Sequence, residues 1–464
     1  MPKTAAVLFV HNEADNIGWW LSHHATIGFS TLIVCDDHST DGTWTLLSNA
    51  ASFYDIRLQR SDKTIPDRLE RQTAFQKAVF EHGRTEFDWM MILAADEYLH
   101  LEQASSLEEF LGSANGQPIP VNWCLFGSNG HETPSPFAPS QAFTHHALLE
   151  TADHRVTRTL LPADRLESAL PDPFGRISSH PDWSQARVLH YAAGDRQSFF
   201  QRGSSETPEE AWKHFDRNDV LETEPQRWLP ETRRIAASLV QSGLTDLYWR
   251  LRQTVVQHDE NTLEKLGLSA SALSAEDDGT FPDFQFYAFS ETQPFVLDLH
   301  TEQLIALPAT DLDPTRHVRM ILAVEVSSVS PYPAFLFPER PCQAPCLNIT
   351  GSPSLLAAIP LRFSPEDQSM ASAITGQSVD FEIPDPTQFP QEATSELYAR
   401  LTALMVLSQG GHTLEALLRG IERLPAPDAT ALGCAIAMLS PAEAAQLAGI
   451  FPGLVPLSVR PVTP

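Results

Sequence analysis

The stretch Ala5-Ala6-Val7-Leu8-Phe9-Val10-His11-Asn12-Glu13 decides the fold of this chain. Its six apolar residues run without alternation, as in a strand buried on both faces of a parallel sheet. The run stops abruptly at three polar residues. Ile17, Trp20, Leu21 and His24 follow at i, i+3, i+4 and i+7, the apolar stripe of a helix. Thr31 to Cys35 is a second buried strand and ends at Asp36-Asp37-His38-Ser39-Thr40-Asp41-Gly42-Thr43, a turn-rich segment able to cap the next helix. Ile56 to Leu58 reads as a third, weaker strand and Leu69 to His82 as a helix. Trp89 to Leu93 is a further strand and ends at Ala94-Ala95-Asp96-Glu97. This alternation predicts a Rossmann-like, doubly wound α/β domain with a mainly parallel sheet.

Parallel strands place their carboxyl ends on one edge, where ligands bind. His11/Asn12/Glu13, Asp36/Asp37 and Asp96/Glu97 each follow an apolar strand, so the three clusters are expected to converge. Crowded carboxylates repel unless a cation or hydroxyl donors lie between them. No G-x-G-x-x-G follows the first strand, and no G-x-x-x-x-G-K-[ST] occurs anywhere. A nucleotide here lacks the usual glycine cradle, and its phosphates call for a divalent ion.

The whole chain supports the same class. Its 464 residues suggest two or three domains. A formal charge of −28 argues against nucleic-acid partners and polybasic membrane contact. All nine tryptophans precede residue 250, which separates two regions of different character. Five cysteines make no dense framework and fit a reducing compartment. Ala5 to Val10 is too short for a signal-peptide core, and Ala431 to Val459 is broken by Pro441, Glu443 and Pro452. A cytoplasmic protein without an integral membrane segment is therefore expected.

The ordered motifs resemble family-2-like glycosyltransferases. Val7 to Glu13 with Trp19-Trp20-Leu21 and His24, then Asp36 to Thr43, look like the family's beginning. Arg71-Gln72, Asp88-Trp89, Asp96-Glu97-Tyr98-Leu99, Val121 to His131, Leu189-His190-Tyr191 and His214 to Asp219 continue the likeness over about 220 residues. It implies a GT-A fold moving a sugar from a nucleotide-diphosphate donor to a carbohydrate or a lipid- or protein-linked glycan, inverting, with Mn²⁺ or Mg²⁺. By the family pattern His11, Asn12, Glu13, Asp36 and Asp37, with Arg71 and Gln72, hold the nucleotide sugar. Asp96 and Glu97 sit at the reacting centre, and Asp96 with His190 holds the metal. Trp123, Gly127 and His131 shape the acceptor side. Glu132 and Asp153 are the two candidates for the base that takes the acceptor's proton.

One residue departs from the pattern. Where the family shows Asp-x-Asp-Glu, this chain has Ala94-Ala95-Asp96-Glu97. A catalytically silent glycan- or nucleotide-sugar-binding protein is thus the alternative. Plainer readings also stand beside the functional ones. Asp36/Asp37 and Asn12/Glu13 can cap turns and helices. His190 can be a hydrogen-bonded core residue, and Trp123 can pack in the core or stack on a sugar. His23 and His24 read as packing residues.

The expected organisation is a GT-A domain over 1–240, a helical connection over 241–274, a β-rich domain over 275–390 and a helical segment over 391–464. The β-rich reading rests on Phe284 to Phe289, Phe295 to Leu297, Met320 to Val326, Leu356 to Leu361 and Val379 to Ile383. Glu396 to Leu407, Leu414 to Leu424 and Ala431 to Leu439 read as helices. Cys342-x-x-x-Cys346 has no second ligand pair nearby and does not read as a zinc site.

Overall fold

The computed structural model describes residues 2–168, 176–203, 207–273, 281–288, 292–301, 303–326, 329–340, 347–349, 352–367, 369–379 and 395–461. Cys342 and Cys346 lie outside them. The chain divides into two compact units, Met1–Ala236 and Ala237–Pro464. Among the described residues, no helix is long and apolar enough to cross a membrane.

The amino-terminal unit begins as the apolar runs dictate: β1 (Thr4–Val10), α1 (Ile17–Ile27), β2 (Thr31–Asp36), α2 (Thr43–Ala50), β3 (Ile56–Arg60), α3 (Arg68–Gly83) and β4 (Trp89–Ile92). Every residue of β2 is buried, as is all of β1 except Phe9. Both faces of these strands are covered, which is why they lack alternation. α1 presents Ile17, Trp20, Leu21 and His24 to the core and ends at Gly28, whose φ of 110° suits a residue without a Cβ.

Beyond β4 come β5 (Glu97–Leu101), α4 (Leu107–Gly112), β6 (Ile119–Leu125), α5 (Pro139–Ala142), β7 (His145–His146), β8 (Val156–Pro162), β9 (Arg176–Ile177) and β10 (Ala186–His190). They extend the sheet to the order β3-β2-β1-β4-β8-β6-β10-β5, with β9 beside β8. β1 to β4 pair in parallel. β8 is antiparallel to both β4 and β6, β10 is parallel to β6, and β5 is antiparallel to β10. Hence β1, β2, β3, β4, β6 and β10 all end on one edge, and β5 begins there. The sheet is parallel-rich, as expected, with β5 and β8 reversed. The rest of the unit includes α6 (Arg196–Arg202) and α7 (Pro208–Phe215).

The carboxy-terminal unit is β-rich, then helical. Its main sheet is antiparallel, with Gln303–Ala306, Phe295–Asp298, His317–Glu325, Tyr332–Pro338, Ile359–Ser364 and Ser369–Ser372 in order and Phe284–Ala288 paired with His317–Glu325. Leu322, Leu336, Ile359 and Leu361 centre its core. Helices Ser395–Leu407, Leu414–Arg423, Ala429–Met438 and Pro441–Ile450 follow. Tyr332–Pro338 was not expected as a strand, because its two prolines cannot donate to a ladder. The expected strand from Leu356 begins only at Ile359, and the one from Val379 to Ile383 lies outside the described residues beyond Val379.

Candidate functional site

The common edge gathers the polar clusters through backbone contacts. The Asp37 amide donates to the Val10 carbonyl at 2.7 Å, and His11 Nδ1 lies 2.8 Å from the Asp37 carbonyl. Asn12 adopts a φ of 55°; its amide donates to Ser39 Oγ at 2.8 Å, and its Oδ1 accepts from the Thr40 amide at 2.8 Å. Glu13 receives Asn16 Nδ2 at 3.1 Å, and burial raises its carboxyl above the ordinary range. The first and second clusters therefore form one locked pair of loops.

Both aspartates at the end of β2 are engaged by arginines. Asp37 takes a forked contact from Arg71, Nε to Oδ1 at 2.7 Å and Nη2 to Oδ2 at 2.8 Å, and also accepts from Ser61 Oγ. The Arg71 hydrogen bond, helped by Ser61, outweighs desolvation and lowers the Asp37 carboxyl to about 2. Asp36 is fully buried and paired with Arg60, whose guanidinium lies 4.1 Å from the Trp44 ring centre. Gln72 lies next to Arg71 on α3, half-buried.

After β4 the chain turns at Ala94 and re-enters the sheet as β5. Trp20, wholly buried on α1, donates from Nε1 to the carbonyls of Ala94 (2.9 Å) and Glu97 (3.1 Å), so the turn is clamped from below. Glu97, expected beside Asp96 at the reacting centre, is instead the fully buried first residue of β5. Its oxygens accept from Arg158 Nε at 2.9 and 2.8 Å, and Oε2 also accepts from the Ala94 amide at 2.8 Å. Asp96 points the other way. Its Oδ2 is 3.5 Å from His190 Nε2, and its carbonyl accepts from the Tyr191 amide at 2.9 Å. Burial works against its ionisation, but the charge and hydrogen bond of His190, with Arg202, prevail and hold Asp96 below the usual carboxylate range.

His190 ends β10 and packs against Trp123 of β6, ring centres 4.0 Å apart and planes tilted by 41°; the Arg158 guanidinium lies 5.4 Å from the Trp123 ring centre. The loop after β6 is fixed by the His214 to Asp219 segment. The Ser128 amide donates to Asp216 Oδ1 and the Asn129 amide to Asn218 Oδ1, each at 2.8 Å. Gly127 lies so close that a Cβ there would meet Asn218 Oδ1 at 2.5 Å and the Arg217 carbonyl oxygen at 2.6 Å. His131 stands 3.2 Å from the Ala142 carbonyl. Glu132 is 77% exposed, 3.8 Å from Arg196, and Asp153 pairs with His214 at 3.1 Å. His23 and His24 are buried against the Leu99 and Trp20 carbonyls, and desolvation lowers both, His23 to about 4.

The residues near Asp96 do not fit a resident divalent ion. Ala94 offers no ligand, Glu97 is taken by Arg158, and His190 Nδ1 is buried without the partner that usually orients a metal-binding imidazole. Among the described residues, the one acidic/His triad with metal-like spacing is His100, Glu102 and Glu224. It lies toward the opposite end of the β5–β10 ladder from His190. Trp228 Nε1, a donor only, points to His100 Nδ1 at 3.2 Å, so the ring proton sits on Nε2 and faces Glu224. Arg187 holds Glu102 at 2.6 Å and Arg227 holds Glu224 at 2.9 Å. Desolvation lowers His100 to about 2. The triad is a closed network of neutral imidazole and ion pairs.

Sequence reasoning missed Arg60, Ser61, Arg158 and Arg202. Arg60 and Ser61 at the end of the third strand carried the plainest signal, lying level with Asp36 and Asp37.

No protein-family profile and no curated protein matches the sequence. Among solved structures, residues 1–349 of S. aureus TarS match at 12% identity and a TM-score of 0.27, over 51% of this chain and 72% of that one. Its complex with UDP-GlcNAc matches at 15% identity and 0.27, over 52% and 72%. A longer TarS structure matches at 9% and 0.26, over 83% and 86%. These scores are too low to carry an argument, and the fold stands on its own strand order.

Proposed function

We propose that the amino-terminal unit binds a nucleotide-diphosphate sugar at the common strand edge and transfers the glycosyl group, with inversion, to an acceptor hydroxyl. One observation carries this reading: Asn12, Glu13, Asp36, Asp37, Asp96 and His190 lie at one edge of a parallel-rich sheet, in the order of the family they resemble. Such an edge is where α/β sheets take their ligands. In the reaction, the bond between the anomeric carbon and the β-phosphate oxygen breaks, and its electron pair leaves with the phosphate. The acceptor oxygen bonds to that carbon from the opposite face, and its proton passes to a carboxylate, Glu132 or Asp153. Asp36 and Asp37 serve by fixing Arg60 and Arg71, and Trp123 offers a ring face to a sugar.

The test is isothermal titration of UDP-, GDP-, ADP- and dTDP-sugars, followed by release of the nucleoside diphosphate with a mixture of glycan acceptors. Saturable binding of one donor, with turnover lost in Asp96→Asn, is expected. If no donor binds and Asp96→Ala changes nothing, the reading fails. Ala94 favours a second reading, a protein that binds the donor without turning it over. Ala94→Asp separates the two: metal-dependent turnover gained only in the variant supports silence, and activity in the native chain excludes it.

A further inference from the structure

The donor's diphosphate is anionic, and the edge that would receive it is crowded with acids. Three of these acids are paired internally, Asp36 with Arg60, Asp37 with Arg71 and Glu97 with Arg158. Glu13 is met by Asn16 and Asp96 by His190 instead, and the described residues around Asp96 do not assemble a cation site. Charge for the diphosphate must come from elsewhere in the chain.

Arg202 is placed to supply it. It is the last residue of α6, a helix pinned at its start to the loop after β6: Asp195 caps it by accepting from the Ser198 amide at 2.9 Å. The Arg196 and Gln197 amides donate to the carbonyls of His131 (2.9 Å) and Glu132 (3.0 Å). From the far end, Arg202 Nη2 reaches back to the carbonyls of Ala192 and Ala193, both at 3.4 Å, in the turn just after His190 and Tyr191. Gly194 turns the chain there with a φ of 56°, and a Cβ on it would make only ordinary contact with Nη2, 3.5 Å away. The helix thus returns an exposed guanidinium to the turn that follows the Asp96–His190 pair.

Resting on the nucleotide-sugar reading above, we propose that Arg202 binds the donor diphosphate directly and that the donor binds without a divalent cation. A guanidinium suits this task because its planar fork matches two phosphate oxygens and its charge is permanent. As the glycosyl bond breaks, the same fork neutralises the charge growing on the departing phosphate. Its field already reaches both remaining acids, since the positive charge of Arg202 favours the ionised forms of Glu13 and Asp96.

Calorimetric titration of UDP into the full chain, in EDTA and then in excess Mn²⁺, tests the proposal. Affinity is expected to change by less than about twofold between the two conditions. Arg202→Gln should weaken UDP by about tenfold or more, as expected for the loss of charge-assisted hydrogen bonds, with Arg202→Lys recovering part of it. Circular dichroism and the melting temperature confirm that the variants fold. UDP binding that vanishes in EDTA, or Arg202→Gln binding as well as the native chain, overturns the proposal and leaves the nucleotide reading intact. If neither UDP, GDP, ADP nor dTDP binds in either condition, the nucleotide reading falls and this proposal with it.

Discussion

Replacing Asp37 by Asn removes one partner of a nearly dry fork. Asp37 is 3% and Arg71 17% exposed at the side chain, and their two contacts are 2.7 and 2.8 Å. The fold lowers this carboxyl from 3.8 to about 2. At 1.36 kcal/mol per unit the difference is about 2 kcal/mol, and solvent near Arg71 screens it to about 1–2 kcal/mol. Because the folded value is the lower one, the unfolded chain binds more protons between pH 4 and pH 2. The contribution is complete above pH 4 and is lost as the pH falls through 2. Urea unfolding of the native chain and Asp37→Asn, followed by tryptophan fluorescence from pH 6 down to pH 2, isolates this group because both chains share every other carboxylate. The stability gap between them should shrink by about 1–2 kcal/mol across that interval. A gap that stays constant, or widens on acidification, would refute the pairing as the source of the shift.

Glu97→Ala removes the carboxylate that Arg158 Nε contacts and the acceptor for the Ala94 amide, so a loss of about 1–3 kcal/mol is expected in the unfolding free energy from urea titration. Glu97→Gln, which keeps one of the two acceptor oxygens, should lose less. Gly127→Ala drives a Cβ into the backbone of Arg217 and should cost about 1–3 kcal/mol, seen as a lower melting temperature.

β1, β2 and β4 were legible because parallel strands buried on both faces leave continuous apolar runs, with acids close behind their ends, whereas the edge strand β3, mostly not buried, left only a weak signal. What lay beyond β4 was not legible. β5 starts inside the acidic motif itself, so Glu97 read as a loop residue beside Asp96, whereas the pleat sends the two side chains to different surroundings. Arg158 is 61 residues from Glu97, and no local pattern announces an ion pair formed across strands so far apart in sequence. The same holds for Arg202, whose role depends on α6 doubling back. Asp36 and Asp37 were visible as a pair of acids, but their arginine partners turn them from open acceptors into struts.

The antiparallel ladder between β5 and β10 sets His190 opposite Glu97 and so brings it to Asp96. The roughly eighty residues between the two strands are therefore under loose length control: insertions into the loops they contain leave the pair where it is. A single-residue deletion inside either strand does the opposite, turning one partner to the other face while the loops remain undisturbed. Sequence drift in such a protein should accordingly be tolerated in blocks around the ladder and punished one residue at a time within it.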